Sequence, residues 1–262
     1  MIRTVQATHY VTPLREGGSL PAIVEGDDDG TWVAKFRGAG QGVRALIAEL
    51  VSGELARHLG LPVPEIVFIE IDGRLAKTEP DPEIQDLLRK SEGVNLALDY
   101  LPGSIGFDPL IGRPFDSMKR LASSIVWFDA LVTNVDRTPR NPNLLVWHGK
   151  PYLIDHGASL FFHHDWRHAA DRSRSRFPEI RDHVLLPWAD AITEVDGEMS
   201  AAVTMETLER ILGFIPDDWL GDVEGLPTAA AHREAYLDWF RVRLEGPRIW
   251  VEEAIDARSL LV

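Results

Sequence analysis

The chain has 262 residues, 45% hydrophobic and 26% charged, which suits a soluble globular protein with one large domain or two lobes. A net charge of −14 argues against direct contact with nucleic acid or an anionic membrane surface, though not against ATP, for which magnesium and a few local cations suffice. The absence of cysteine excludes disulfides, thiolate chemistry and cysteine-ligated zinc. The opening residues "MIRTVQATHYVTPL" hold no apolar leader core, and no apolar run reaches membrane-spanning length, so a cytoplasmic protein is expected.

In chain order, residues 5–36 read as strands and turns. "SLPAIVEG" and "TWVAKF" are β-type runs around the turn signal "DDDG", which predicts a hairpin ending near Lys35. "GAGQG" then breaks the chain. "VRALIAELVSGELARHLG" has helical period, with Val43, Leu46, Ile47, Leu50, Val51 and Leu55 on one stripe, and Gly60 and Pro62 end it. "PEIVFIEIDGRLAK" predicts a strand and turn. "DPEIQDLLRKS" predicts a short helix opened by Asp81 and Pro82. "NLALDYLPGS" reads as an apolar connector between lobes. "DSMKRLASSIVWFDALVT" predicts a second strong helix capped by Asp116. "NLLVW" and "PYLI" are brief strands around "HGK". The chain is irregular from Gly157 to about Phe177 and helical beyond, most clearly in "VTMETLERILGFIPDDWL". The pattern is a β-rich first third followed by helices.

The stretch "TNVDRTPRNPNLLVWHGKPYLIDHG" (133–157) gathers Asn134, Asp136, Asn141, Asn143 and Asp155 around the two short strands. Phosphoryl transfer from ATP needs a lysine on the phosphates, hard oxygen ligands for magnesium, and a carboxylate beside the acceptor hydroxyl. Asp136 and Asn141 stand at i, i+5, the catalytic-loop spacing D-x-x-x-x-N. Asp136 suits the carboxylate that takes the hydroxyl proton; Asn141 and Asp155 suit the metal. Asn134 and Asn143 are expected to pin the loop, and Gly157 to free the backbone behind Asp155.

These residues resemble the catalytic and metal-binding segment of the HipA-like kinases, and N-x-D-R-x-x-x-N before D-x-G is also similar to the phosphatidylinositol 3- and 4-kinases. "WVAKF" resembles the strand bearing the ATP lysine, here Lys35, and "AELVSGELARHLGLPVPE" the HipA-like helix and its exit. The resemblance spans roughly residues 17–160. It implies an α+β, two-lobed protein-kinase-like fold, with a first lobe over 1–100 (a nucleotide-covering β-sheet and one helix) and a second over 101–262. It also implies ATP and magnesium as cofactors and a hydroxyl acceptor, favouring a protein serine or threonine. The helix glutamate that orients Lys35 is then Glu49 by alignment; Glu54 is the alternative, nearer the centre of the apolar stripe, where a lone carboxylate is costly. Departures are D-H-G in place of D-F-G, no H-R-D, and no G-x-G-x-x-G. "REGGS" supplies the sole candidate phosphate loop, through Gly17, Gly18 and Ser19. His156 and Arg137 read as structural, and Ser173 and Ser175 as members of a solvated basic loop.

Two other readings compete. "FHHDWRH" offers His163, His164, Asp165 and His168, with His164 and His168 at i, i+4, as a metal-dependent phosphohydrolase would need on one helical turn. A nucleotide-binding pseudokinase that regulates a partner is the other, although every core kinase residue is present.

Overall fold

The computed structural model describes residues 1–14, 20–77, 79–110, 115, 118–221 and 223–261. The proposed phosphate-loop residues Gly17, Gly18 and Ser19, and the expected helix cap Asp116, lie outside the described residues.

The strand-rich part opens with β1 (Thr4–Pro13), β2 (Ala22–Gly26) and β3 (Thr31–Lys35). The β2–β3 hairpin turns at Asp27–Gly30, as the sequence predicts, with Asp29 left-handed at φ 59°. Helix α1 (Gly42–His58) follows, then β4 (Ile66–Ile71), a 3-10 turn (Gly73–Lys77), helix α2 (Pro82–Lys90) and β5 (Gly93–Asp99). The Asp81 side chain caps α2 by accepting from the Glu83 amide.

Two expectations are corrected here. Where a nucleotide-covering β-sheet was expected, the strands form a closed barrel in the order β1-β2-β3-β5-β4. Closure comes from a parallel pairing of β1 with β4, Thr4 opposite Phe68 and Gln6 opposite Glu70, and β1 carries two register irregularities against β2 that let it bend round. The run "NLALDYL", read as a connector, supplies β5, which pairs with both β3 and β4. It is buried on both faces, so the polar-apolar alternation of an ordinary strand is missing.

A short strand β6 (Ile105–Gly106) precedes helix α3 (Lys119–Leu131), which starts after Met118 without a side-chain cap. Strands β7 (Leu144–Trp147) and β8 (Lys150–Leu153) form a three-stranded sheet with β6. Short 3-10 turns and α4 (Ala169–Ser173) follow the hairpin. The rest is helical: α5 (Ile192–Ala202), α6 (Met205–Leu212), α7 (Ala229–Leu244) and α8 (Ile249–Ser259). None of the described helices is long and apolar enough to cross a membrane.

Two cores result. Val5, Val24, Trp32, Ala34, Val67, Ile69 and Ala97 fill the barrel. A larger core joins α1, α3 and the later helices, and it includes Ile66, Leu96 and Leu98 from the outer face of the barrel. Helix α1 lies close to the barrel because Gly53 has no side chain: a Cβ there would stand 2.5 Å from Ile66 Cδ1. All of the predicted α1 stripe is buried except Val43, which is half-buried.

Candidate active site

Strand alternation sets the first residue of the site. Trp32 and Ala34 point into the barrel, so Val33 and Lys35 point out of it, on the side where α1 packs. Lys35 Nζ lies 2.5 Å from Glu49 Oε2 and 2.6 Å from Asp155 Oδ1. Glu49 is fully buried on α1. Burial alone would raise its carboxyl, but the Lys35 charge and a His156 hydrogen bond outweigh this and hold it at about 2. Burial likewise works against the Lys35 charge, and the two carboxylates overcome it and raise the ammonium above its usual value. Glu54 instead sits 3.4 Å from Arg57, so Glu49 is the partner of Lys35.

The second group of residues rides on the loop after α3. Asp136 Oδ2 accepts from Asn141 Nδ2 at 2.8 Å and from Asn143 Nδ2 at 3.4 Å, which fixes one carboxylate oxygen. Thr138 and Asn141 exchange backbone hydrogen bonds and close the tight turn between Asp136 and its amide partners. Asn134 donates to Asp129 Oδ1 and accepts from the Asp136 amide, so both loop asparagines pin the loop as predicted.

Asp129 is the anchor that sequence reasoning missed. It is fully buried on α3 and accepts from Arg137 Nε at 2.6 Å and His183 Nε2 at 2.8 Å. Burial opposes its charge, yet the Arg137 guanidinium and His183 hold it far below the carboxylate range. His183 Nδ1 accepts the Leu185 amide proton, so Nε2 carries the ring proton and donates to Asp129. Arg137 reaches on to the carbonyls of Asn143 and Ile154, which braces the Asp136 loop against the residue before Asp155. The signal available in the sequence was a lone acid inside the apolar run "IVWFDALV"; His183 left none.

Asp155 itself adopts the left-handed conformation at φ 55°. The expected backbone freedom therefore lies at Asp155, and a Cβ on Gly157 would meet only ordinary contacts of 3.5–3.7 Å. The buried His156 ring stands 3.4 Å from Glu49 Oε1, a bracing role. Asp155 and Gly157 of the D-H-G turn line one pocket with Lys35, Phe36, Ala39, Gln41, Gly42, Ala45 and Leu46. Residues from "GAGQG", read only as a chain break, thus form part of its wall. Helix α1 begins there with no side-chain cap and no acid in its first turn.

Asp155 and Asn141 each offer an oxygen of the kind that magnesium takes. The Asp155 side chain is 44% exposed, and among the described residues its Oδ2 carries no hydrogen bond. Asn141 spends its amide nitrogen on Asp136, leaving a neutral amide oxygen. Carboxylate and amide oxygens are the hard ligands that this ion takes.

The histidine cluster of the hydrolase reading does not form a metal site. His164 and His168 fall on two separate 3-10 turns, because Asp165 between them is extended at φ −145°, ψ 81°. Buried His163 bonds Tyr236 and His168 bonds Asp165. Among the described residues no group of three or more His, Asp or Glu side chains is placed to hold a metal ion.

The family profile for HipA-like kinases matches residues 8–242, and the chain belongs to that family. No curated protein matches the sequence. Among solved structures, the chain is similar to the crystal structure of a Helicobacter pylori proinflammatory kinase, CtkA, with a TM-score of 0.53 at 11% identity, covering 100% of this chain and 99% of that one. At that identity the likeness concerns the fold: a strand-rich first part and a helical second part arranged as in a kinase.

Proposed function

We propose that this kinase-type protein transfers the γ-phosphoryl group of ATP to the hydroxyl of a protein serine or threonine. The observation that carries the reading is the ammonium of Lys35 held between Glu49 and Asp155, on the same pocket wall as the open start of α1. In this reading residues 1–100 and 101–262 are two lobes and the nucleotide lies between them. Lys35 and the first amides of α1 take its phosphates, with Glu49 fixing the lysine. Gly17, Gly18 and Ser19 would supply the phosphate loop, as the sequence expects. Asn141 and Asp155 would hold magnesium, which when bound draws charge from the phosphate oxygens. Asp136 orients the acceptor hydroxyl and takes its proton. The new oxygen–phosphorus bond forms as the bond from the γ-phosphorus to the β–γ bridging oxygen breaks, and ADP leaves. Membership of the HipA-like kinases supports a protein acceptor and a cytoplasmic setting.

Thermal-shift titration tests the binding half. Magnesium with ATP at a hundred times the dissociation constant should add about 2.7 kcal/mol of stability. No stabilisation by any purine nucleotide, with magnesium or manganese present, would sink the proposal.

A further inference from the structure

A buried cluster beside this pocket plays no part in the proposed chemistry. His163 Nδ1 stands 2.9 Å from the Tyr236 hydroxyl. His232 stacks on Tyr236 at 5.4 Å, and Trp166 meets both rings edge-on at 5.0 and 4.8 Å. His163 is fully buried and His232 is 4% exposed. Yet His163 Nε2, both ring nitrogens of His232 and the indole nitrogen of Trp166 are buried with no hydrogen-bond partner among the described residues. Unpaired polar atoms in one small region are costly unless a bound group meets them.

The charge around the cluster selects the group. Arg44, half-buried in the first turn of α1, makes no ion pair or hydrogen bond among the described residues, although the chain is strongly acidic. Burial first holds the rings of His163, His164 and His232 below the usual imidazole value, followed by the Arg44 charge for His164 and His232 and by His164 and then Arg44 for His163. Asp165, the nearest acid in the segment, is engaged by Arg167, His168 and Arg172. Ala45, next to Arg44, lies against Gly157 of the D-H-G turn. The region thus offers N–H donors and a guanidinium that no carboxylate engages among the described residues, although Glu224 and Asp238 line the pocket that Trp166 borders.

We propose that Arg44, with the indole N–H of Trp166 and one ring N–H each from His163 and His232, forms a subsite for a small oxyanion, phosphate or carboxylate, beside the nucleotide pocket. The oxyanion is either a free ion or part of the acceptor; the second source rests on the phosphotransfer reading, whereas phosphate binding itself does not.

The test uses the whole chain with ring-¹⁵N-labelled histidine, titrated with inorganic phosphate in the presence and absence of a saturating non-hydrolysable ATP analogue. Saturable shifts of the His163 and His232 ring nitrogens are expected in both conditions. Arg44→Gln should weaken phosphate at least about tenfold, the loss of one charge-assisted contact, while Mg–ATP binding stays within about twofold. Trp166→Phe keeps the ring packing, removes only the N–H, and should also weaken phosphate. Serine peptides with and without a neighbouring phosphoserine separate the sources. Preference for the phosphorylated peptide, lost in Arg44→Gln, marks an acceptor-borne group; equal peptide rates with phosphate-dependent turnover mark a free ion. No saturable shift, meaning that ordered water alone meets these nitrogens, overturns the subsite. So does unchanged phosphate affinity in Arg44→Gln, or an equal loss of Mg–ATP affinity, which would assign Arg44 to the nucleotide's own phosphates. A failed thermal shift with Mg–ATP alongside intact phosphate binding would sink the kinase reading and leave the subsite standing.

Discussion

Lys35 at the end of β3 and Glu49 in the middle of α1 meet at 2.5 Å, so the barrel and the helix beside it are joined through a salt bridge whose acidic partner is fully buried. Removing the cation leaves that buried carboxylate with only the His156 ring against it. Lys35→Met should cost about 3–5 kcal/mol in urea unfolding, and Glu49→Gln added to it should return a large part of the loss. Equal stabilities for the single and double variants would show that the pair does not couple.

Asp136 separates chemistry from binding. Asp136→Asn keeps the size and one acceptor oxygen but loses the charge. Single-turnover phosphate transfer should slow by at least about a hundredfold, with Mg–ATP affinity near wild type on the same preparation. A wild-type transfer rate would remove Asp136 from the role of base.

Asp129 never touches substrate in this scheme, yet its loss should be felt in both stability and rate. Asp129→Ala leaves Arg137 and His183 buried without their acceptor and should destabilise the fold by about 3–5 kcal/mol. Hydrogen exchange of the 133–143 loop should accelerate together with the loss. Unaltered exchange there would mean that the loop is held by other contacts.

Stability should also fall with acid in two stages. His163, His183 and His232 are kept below the usual imidazole value of 6.5 by burial, His232 at about 4. The unfolded chain therefore takes up protons first. This contribution is fully present above pH 6.5 and is lost progressively as the pH falls from there towards 4. Glu49, depressed from 4.5 to about 2, adds a second loss between those values. Urea midpoints measured from pH 8 to pH 4 should decline below about 6.5, and His232→Phe should flatten part of that decline. Midpoints independent of pH over this range would contradict the neutral burial of these rings.

Local signals carried much of the site. The i, i+5 pair Asp136 and Asn141 sits where its spacing suggested, because a tight turn between the two is closed by neighbours in sequence. Lys35 was legible from the resemblance of "WVAKF" to the strand bearing the ATP lysine, and α1 from its 3.6-residue stripe. Non-local pairings were not legible. The β1–β4 ladder joins residues more than sixty positions apart, and nothing local marks β1 as the strand that closes a barrel. Strand β5 hid for the opposite reason: Leu96, Ala97 and Leu98 are all buried, so no polar face betrayed its period. His183 reaches Asp129 across fifty-four residues, and only the folded chain brings them together.

Strands β4 and β5 serve the barrel with one face, through Val67, Ile69 and Ala97, and the larger core with the other, through Ile66, Leu96 and Leu98. Neither part owns its boundary. Melting the barrel would strip the helices of an apolar wall, and melting the helices would leave that wall facing water. The protein should therefore unfold in one cooperative calorimetric transition, its van't Hoff and calorimetric enthalpies equal. A fragment ending near residue 100 would carry Ile66, Leu96 and Leu98 as a sticky outer surface and associate with itself rather than persist as a free barrel.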